Sequence, residues 1–162
     1  MMNAPQVTGH DPRDQDLAYL ANRAFDPQWR LFLDCLSGEL FENFAAEEAC
    51  GFFRHIGIRM ASQFQPPPTT TLGELEQALN HLWQGIGWGR VQLAANDHGL
   101  VLVHRAFPGS HAPVGQWWRQ AFAAVLEGLY TMWLQGQGGD QAMRAVHQED
   151  GATDALVFRF GY

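Results

Sequence analysis

The chain contains no lysine, and its 162 residues carry only ten permanent positive charges, all of them arginine. Aspartate and glutamate together number 17, which gives a formal net charge of −7. A protein that binds a nucleic-acid backbone through electrostatics needs clustered cations, and these arginines are scattered along the chain. The composition therefore argues against DNA or RNA as a partner.

Long apolar runs are also missing. No segment approaches the roughly 20 apolar residues of a membrane-spanning helix. The first 25 residues include Asp11, Asp14 and Asp16 and lack the apolar stretch of a secretory signal. The sequence therefore predicts a cytoplasmic protein that does not span a membrane, and a periplasmic role stays open. Cysteine is scarce, and Cys35 and Cys50 are interpreted as buried free thiols because both lie in apolar helical context.

The most informative stretch runs from Thr71 to Ala95. Thr71 and Glu74 have the spacing of a capping box, in which a hydroxyl and a carboxylate bond reciprocally to the first turn of a helix. Apolar residues then recur at intervals of three and four, which is typical of a narrow helical seam facing another helix. The members of this seam are Leu72, Leu75, Leu79, Leu82 and Ile86. Glycines follow, and an alternating strand begins at Val91.

The rest of the chain divides simply. Residues 1–24 are polar and proline-punctuated, which predicts a flexible N-terminal arm, and residues 25–162 form one domain. Further helices are predicted from Asp26-Pro27, over 46–64 and over 114–135, and strands over 91–95, 100–104, 142–148 and 155–160. The predicted fold class is α+β, with helices packed on one face of a four-stranded antiparallel sheet.

Two groups of residues in this chain resemble the signatures of the cellulose synthase operon protein D family, which belongs to the bacterial cellulose synthase complex. The first comprises Gln65-Pro66-Pro67, the leucine seam and Gly87-Trp88-Gly89. The second is Leu126-Glu127-Gly128-Leu129-Tyr130 followed by Trp133. The likeness runs from about Phe25 to the C-terminus, so residues 25–162 are a domain similar to that family. Residues 1–24 resemble an added arm, and the loop of residues 136–140 is shorter than the family pattern.

The resemblance implies a non-catalytic accessory subunit of cellulose biosynthesis. In that family, dimers assemble into an octamer that helps to organise synthase complexes and the export or crystallisation of glucan chains. Other synthase subunits, a small proline-rich protein and β-1,4-glucan chains are the implied partners. The glucan-binding candidates, by position, are Phe25, Gln28, Trp29 and Arg30. The candidates for the oligomer interface are the leucine seam together with Trp117 and Trp118.

An active site is not predicted, and neither a metal nor a cofactor is expected. Ser110 and His111 are adjacent, but no glycine-flanked elbow or orienting carboxylate accompanies them. His147, Glu149 and Asp150 straddle a strand end and a turn, where solvated carboxylates are common. Two alternatives stay open. One is a small-molecule or haem-type sensor that uses His104 or His147 as a ligand, and the other is a glucan hydrolase built on His147, Glu149 and Asp150.

Overall fold

The computed structural model of this protein describes residues 26–110, 115–149 and 154–161. Within these ranges it contains four helices and four strands. In chain order they are α1 (Pro27–Asn43), α2 (Ala46–Gln63), α3 (Leu72–Ile86), β1 (Arg90–Asn96), β2 (Gly99–Arg105), α4 (Trp118–Gly136), β3 (Arg144–Gln148) and β4 (Ala155–Gly161). The predicted N-terminal arm, residues 1–24, lies outside the described residues.

The helix boundaries follow from local chemistry. The predicted capping box of α3 is confirmed: the Thr71 hydroxyl accepts from the Glu74 amide and the Glu74 carboxylate accepts from the Thr71 amide, both at 3.2 Å. Gly87 ends this helix with a φ of 69°, in the left-handed region that glycine adopts without strain. Pro27 opens α1 at the first helical position, where its missing N–H costs nothing.

The sheet is antiparallel throughout, with strand order β1-β2-β4-β3. Asn96 pairs with Gly99, so Asp97 and His98 form the two-residue turn of a hairpin that joins the predicted strands β1 and β2. The chain then leaves the sheet to form α4 and returns through β3 to β4, which lies beside β2. The predicted α+β fold, with helices on one face of a four-stranded sheet, is confirmed.

The core lies between the sheet and α4, and α2 packs on the other side of α4. Leu102, Leu156 and Phe158 point from the sheet into this core and are fully buried. Neither Cys35 nor Cys50 forms a disulfide. The interpretation of both as buried thiols is wrong for Cys35, which is exposed, because it lies on the solvent side of α1. Burial of the partly exposed Cys50 thiol raises its pKa.

Candidate functional site

The two sequence motifs meet at a single buried side chain, His104 of β2. Its Nε2 atom is 2.7 Å from the main-chain carbonyl oxygen of Trp88, in the Gly-Trp-Gly motif. Its Nδ1 atom is 2.6 Å from the hydroxyl oxygen of Tyr130, in the α4 motif. His104 therefore connects the segment after α3 to the middle of α4 through the centre of the core.

The protonation state of His104 follows from these partners. A carbonyl oxygen can only accept, so Nε2 carries the proton and Nδ1 accepts from the Tyr130 hydroxyl. Both side chains are fully buried. Burial lowers the pKa of His104 to about 4, an effect that its hydrogen bond to Trp88 opposes, and burial raises the pKa of Tyr130 well above its ordinary value. Both groups are therefore neutral at pH 7.

This geometry bears on the sensor hypothesis. A histidine that ligates haem iron must offer one ring nitrogen to the metal. Both nitrogens of His104 are already hydrogen-bonded inside the core, among the rings of Trp83, Phe107 and Phe122. In this arrangement His104 has no nitrogen to offer a cofactor.

The glycines of the two motifs permit close backbone contacts. Gly89 has a φ of 96°, and a Cβ atom there would overlap the carbonyl oxygen of Arg105. Where α2 crosses α4, a Cβ on Gly128 would overlap the carbonyl oxygen of Arg54, and a Cβ on Gly57 would overlap that of Val125. Only glycine therefore allows the two helices to approach so closely.

Side chains of α3 and α4 cover both edges of the sheet. At the β1 edge, Asn80 accepts from the amide of Val91 at 2.7 Å and donates to its carbonyl at 2.8 Å, while the carboxylate of Glu76 accepts from the amide of Leu93 at 2.7 Å. Glu76 and Asn80 are four residues apart, so both face the strand. These bonds occupy backbone groups that an edge strand otherwise leaves open.

The β3 edge is covered in the same way. Thr131 accepts from the amide of Ala145 at 2.9 Å, and Glu127 accepts from the amide of His147 at 2.8 Å. The other carboxylate oxygen of Glu127 is 2.7 Å from Nε of Arg54, whose Nη1 is 2.9 Å from the exposed Glu47. Both contacts raise the pKa of Arg54, and the hydrogen bond to Glu47 has the largest effect. The motif glutamate thus joins α2, α4 and the sheet.

The proline segment after α2 is fixed to the end of α4. The Gln137 side chain accepts from the amide of Thr69 at 3.0 Å and donates to the carbonyl of Pro67 at 3.0 Å. The indole N–H of Trp133 donates to the carbonyl of Phe64 at 3.0 Å. These hydrogen bonds hold the proline segment of the first motif against the end of α4, next to Trp133 of the second motif.

The proposed hydrolase cluster is only partly described. Asp150 lies outside the described residues, and the amide of His147 is bonded to Glu127. Among the described residues, no group of three histidine, cysteine, aspartate or glutamate side chains is arranged to hold a metal ion. The ring of His147 packs against that of Phe158, with 5.4 Å between the ring centroids.

The glucan-binding candidates lie at the start of the described chain. Trp29 is 61% exposed and meets the ring of Phe32 edge-on, with 5.9 Å between the centroids. Gln28 is in the first turn of α1, Arg30 is partly exposed, and Phe25 lies outside the described residues. An exposed indole is a surface on which a sugar ring can stack.

The interface candidates divide between core and surface. Leu75, Leu79 and Trp118 are buried within the single chain, and Leu82 and Trp117 are partly exposed. Leu72 and Ile86, at the two ends of α3, are 38% and 42% exposed. Only the members with exposed surface can contact a second copy in this conformation.

The structure exposes a further set of apolar side chains that the sequence patterns did not identify as a group. It lies on α1, on α2 and on the turn between them, and we call it the N-terminal apolar surface. Its members are Leu31, Phe32, Phe44 and Phe52, each at least 47% exposed, and the ring of Trp29 contacts that of Phe32 beside it. Single exposed apolar residues are ordinary, but a concentration of large ones is typical of a protein contact.

Comparison with known proteins identifies the family of this chain. The family model for the D subunit of cellulose synthase matches residues 15–161. This chain belongs to that family. It is similar to a cellulose synthase operon protein D of Komagataeibacter xylinus, at 36% identity over 118 residues, which is 70% of this chain and 73% of the relative. A protein of the same name from Komagataeibacter sucrofermentans matches at the same identity and coverage.

The family member described here has no candidate for a membrane span among the described residues, since none of those helices is both long and apolar enough. The family resemblance that the sequence predicted is confirmed, and the residues that carried it are largely those that build the core and seal the sheet edges. The surfaces outside that core are therefore where contacts with other molecules must be sought.

Proposed function

We propose that this chain is a non-catalytic accessory subunit of bacterial cellulose biosynthesis. In this proposal it forms a homo-oligomer, dimers assembling into an octamer, that helps to organise synthase complexes and the export or crystallisation of glucan chains on the cytoplasmic side. Family membership supports the role in cellulose biosynthesis. The absence of a predicted catalytic nucleophile is consistent with a scaffold.

The N-terminal apolar surface is the observation that carries the assembly proposal. Leu31 is 68% exposed, and Phe32 and Phe44 are more than half exposed. Leaving such side chains in water costs on the order of 1 kcal/mol each relative to burial, a cost that a contact with a second copy removes. Obligate interfaces between copies of one chain are rich in such residues. The exposed ends of the leucine seam, Leu72 and Ile86, are further candidates.

Light scattering tests the assembly directly. The full chain should have a mass of several times 18.2 kDa, and an octamer has eight times that mass. Phe32→Asp places a charge in the N-terminal apolar surface and should give smaller, folded particles. Met132→Asp changes another exposed apolar residue, 40% exposed on α4, and should leave the mass unchanged. A monomeric full chain at micromolar concentration contradicts the proposal.

Glucan binding is the second part of the proposal, and the side chains assigned to it are Phe25, Gln28, Trp29 and Arg30. Trp29 offers an exposed ring, and stacking plus hydrogen bonds would hold an uncharged sugar. Trp29→Ala should abolish co-sedimentation with amorphous cellulose, while Trp29→Phe should keep part of it. Equal sedimentation of both variants and the parent chain would exclude Trp29 as a sugar platform.

The N-terminal arm, residues 1–24, is proposed to act outside the domain, lining a channel or closing a contact between dimers. A chain that begins at Ala24 should therefore melt within a few degrees of the full protein and fail to support ordered cellulose ribbons in cells. Other synthase subunits and a small proline-rich protein are the proposed docking partners. Normal ribbons with the shortened chain would remove any role for the arm.

A further inference from the structure

The face of the sheet that points away from the helices carries four arginines, one from each strand. They are Arg90, Arg105, Arg144 and Arg159. Their direction follows from the strand alternation, because Leu102 and Phe158 at the intervening positions are fully buried in the core. The helices contact β1, β3 and β4 from the core side and the edges, and no described element lies across this outer face. We call it the outer sheet face.

The charge of the outer sheet face is opposite to that of the chain as a whole. None of its strand positions is acidic, although the chain carries a net charge of −7. The described carboxylates next to the strand ends in the sequence are Asp97, Glu149 and Asp154. None of the four guanidinium groups is paired with a carboxylate of a described residue. The hydrogen bonds of these groups to described residues go to neutral oxygens: Arg105 donates to Gln92, Arg144 to the carbonyls of Gln141 and Met143, and Arg159 to the carbonyl of His98.

The arginines form two pairs at opposite corners of this face. Arg90 lies directly opposite Arg105 in the β1–β2 register, an arrangement in which like charges repel. Arg144 and Arg159 lie at the other end, on β3 and β4, beside a shallow hollow of about 410 Å³. Val101 lies opposite Arg159 and is four residues from Arg105 along β2, a distance of roughly 13 Å. An anionic group at each corner would relieve this repulsion.

Aliphatic side chains fill the space between the two arginine pairs. Val101, Val103 and Val157 occupy the central strands and are partly exposed, and Val146 on β3 is 49% exposed. The described strand positions of this face carry no aromatic residue, so a sugar ring has no platform for stacking here. The face thus combines cationic corners with an aliphatic centre.

The sheet geometry limits how a ligand can bind. Asn80 and Glu76 occupy the edge amides of β1, and Thr131 and Glu127 occupy those of β3, so a peptide cannot simply add as a further strand. Four strands at a spacing of about 4.8 Å and up to seven residues long give a face on the order of 350 Å². Stable contacts between folded proteins bury roughly 800 Å² on each side. The face therefore fits a short segment lying across it.

We propose that the outer sheet face binds an acidic amphipathic peptide segment of a partner protein, with carboxylates at the two arginine corners and aliphatic side chains on the valines between them. A second copy of this chain would place arginines against arginines if it used the same face. This contact shares no residue with the N-terminal apolar surface, so its failure and the failure of the assembly proposal are distinguishable.

A fluorescent 16-residue helical peptide tests the proposal, with leucines along one face and glutamates at both ends of that face. We expect it to bind the full chain and to lose at least tenfold in affinity between 50 and 300 mM NaCl, as screened charge contacts require. Two peptides serve as controls: one replaces the glutamates with lysine, and the other replaces the leucines with serine. Equal binding of either control would overturn the proposal.

Variants locate the contact. The double variant Arg144→Glu/Arg159→Glu should weaken binding more than tenfold, and the milder Arg144→Gln/Arg159→Gln should weaken it less while keeping the fold. Arg59→Glu alters an exposed arginine of α2, which does not contact the sheet, and should change affinity less than twofold. Unchanged binding by folded Arg144/Arg159 variants would refute the assignment. A loss of oligomer mass in those variants would instead assign the face to a copy-to-copy contact.

Discussion

The burial of His104 makes the stability of this protein depend on pH in a defined window. A histidine in an unfolded chain has a pKa near 6.5, whereas burial lowers the pKa of His104 to about 4 in the fold. Between these two values the unfolded chain binds a proton that the folded protein excludes. The free energy of unfolding must therefore fall as the pH drops through 6.5, and this loss is complete only below pH 4.

The size of the effect follows from the difference between the two pKa values. Each pKa unit corresponds to about 1.4 kcal/mol, so His104 should destabilise the fold by about 2 kcal/mol at pH 5 and by about 3 kcal/mol below pH 4, relative to pH 7.5. The hydrogen-bond partners of His104 among the described residues are a carbonyl and a phenol, and neither is a carboxylate that would stabilise the charged form. For a chain of this length, 2 kcal/mol corresponds to a melting temperature lower by roughly 4 to 8 °C.

Urea unfolding at pH 7.5, 6 and 5 measures this dependence, provided that the oligomer mass is followed at each pH. His104→Phe removes the titrating group, so the variant should be less stable at pH 7.5 but should lose about 2 kcal/mol less between pH 7.5 and pH 5. His55→Gln removes an exposed imidazole of α2 and should keep the full acid-dependent loss. Parallel pH profiles for the parent chain and His104→Phe would refute the reasoning.

Three further substitutions test the packing. Gly57→Ala drives a methyl group into the α4 backbone, and this overpacking should lower the free energy of unfolding by about 3 kcal/mol or more in thermal unfolding. The control Gly51→Ala, in the same helix, meets open space and should be neutral or stabilising by about 0.5 kcal/mol. Tyr130→Phe leaves Nδ1 of His104 without a donor and should lower the free energy of unfolding by about 1–3 kcal/mol. The control Ser62→Ala removes an exposed hydroxyl and should have a negligible effect. Asn80→Ala frees two backbone groups of the β1 edge and should cost about 2 kcal/mol by urea unfolding; no change would show that water replaces both bonds.

Local signals in the sequence predicted local structure well. The capping box at Thr71 and Glu74 was predictable because both partners lie within one helical turn. The hairpin was predictable because its turn residues follow directly on an alternating strand. The leucine seam was predicted less completely: Leu75 and Leu79 are buried as the pattern suggests, but Trp83 completes the buried face and Leu72 is exposed. Spacing defines a stripe, and only the neighbouring elements decide which part of it is covered.

Long-range contacts were not predictable from one sequence. His104 is separated by 16 and 26 residues from its two partners. The sequence placed it at the end of a predicted strand and offered it as a possible ligand, but it did not indicate a hydrogen-bonded connection between two motifs. The outer sheet face was equally hidden, because its arginines come from four separate strands. Only the strand order β1-β2-β4-β3 brings them together. Scattered cations in a sequence therefore do not exclude a cationic surface.

The location of the motifs changes how substitutions within them must be interpreted. Gly89, Glu127 and Tyr130 each act on the fold itself, through a close backbone contact, a sheet edge and a buried hydrogen bond. A loss of ordered cellulose after changing any of them would follow from unfolding as readily as from a lost partner contact. The exposed side chains of Phe32 and Arg159 can be changed without removing a core contact. Function in this family is therefore better tested on those two surfaces than on the motifs that define it.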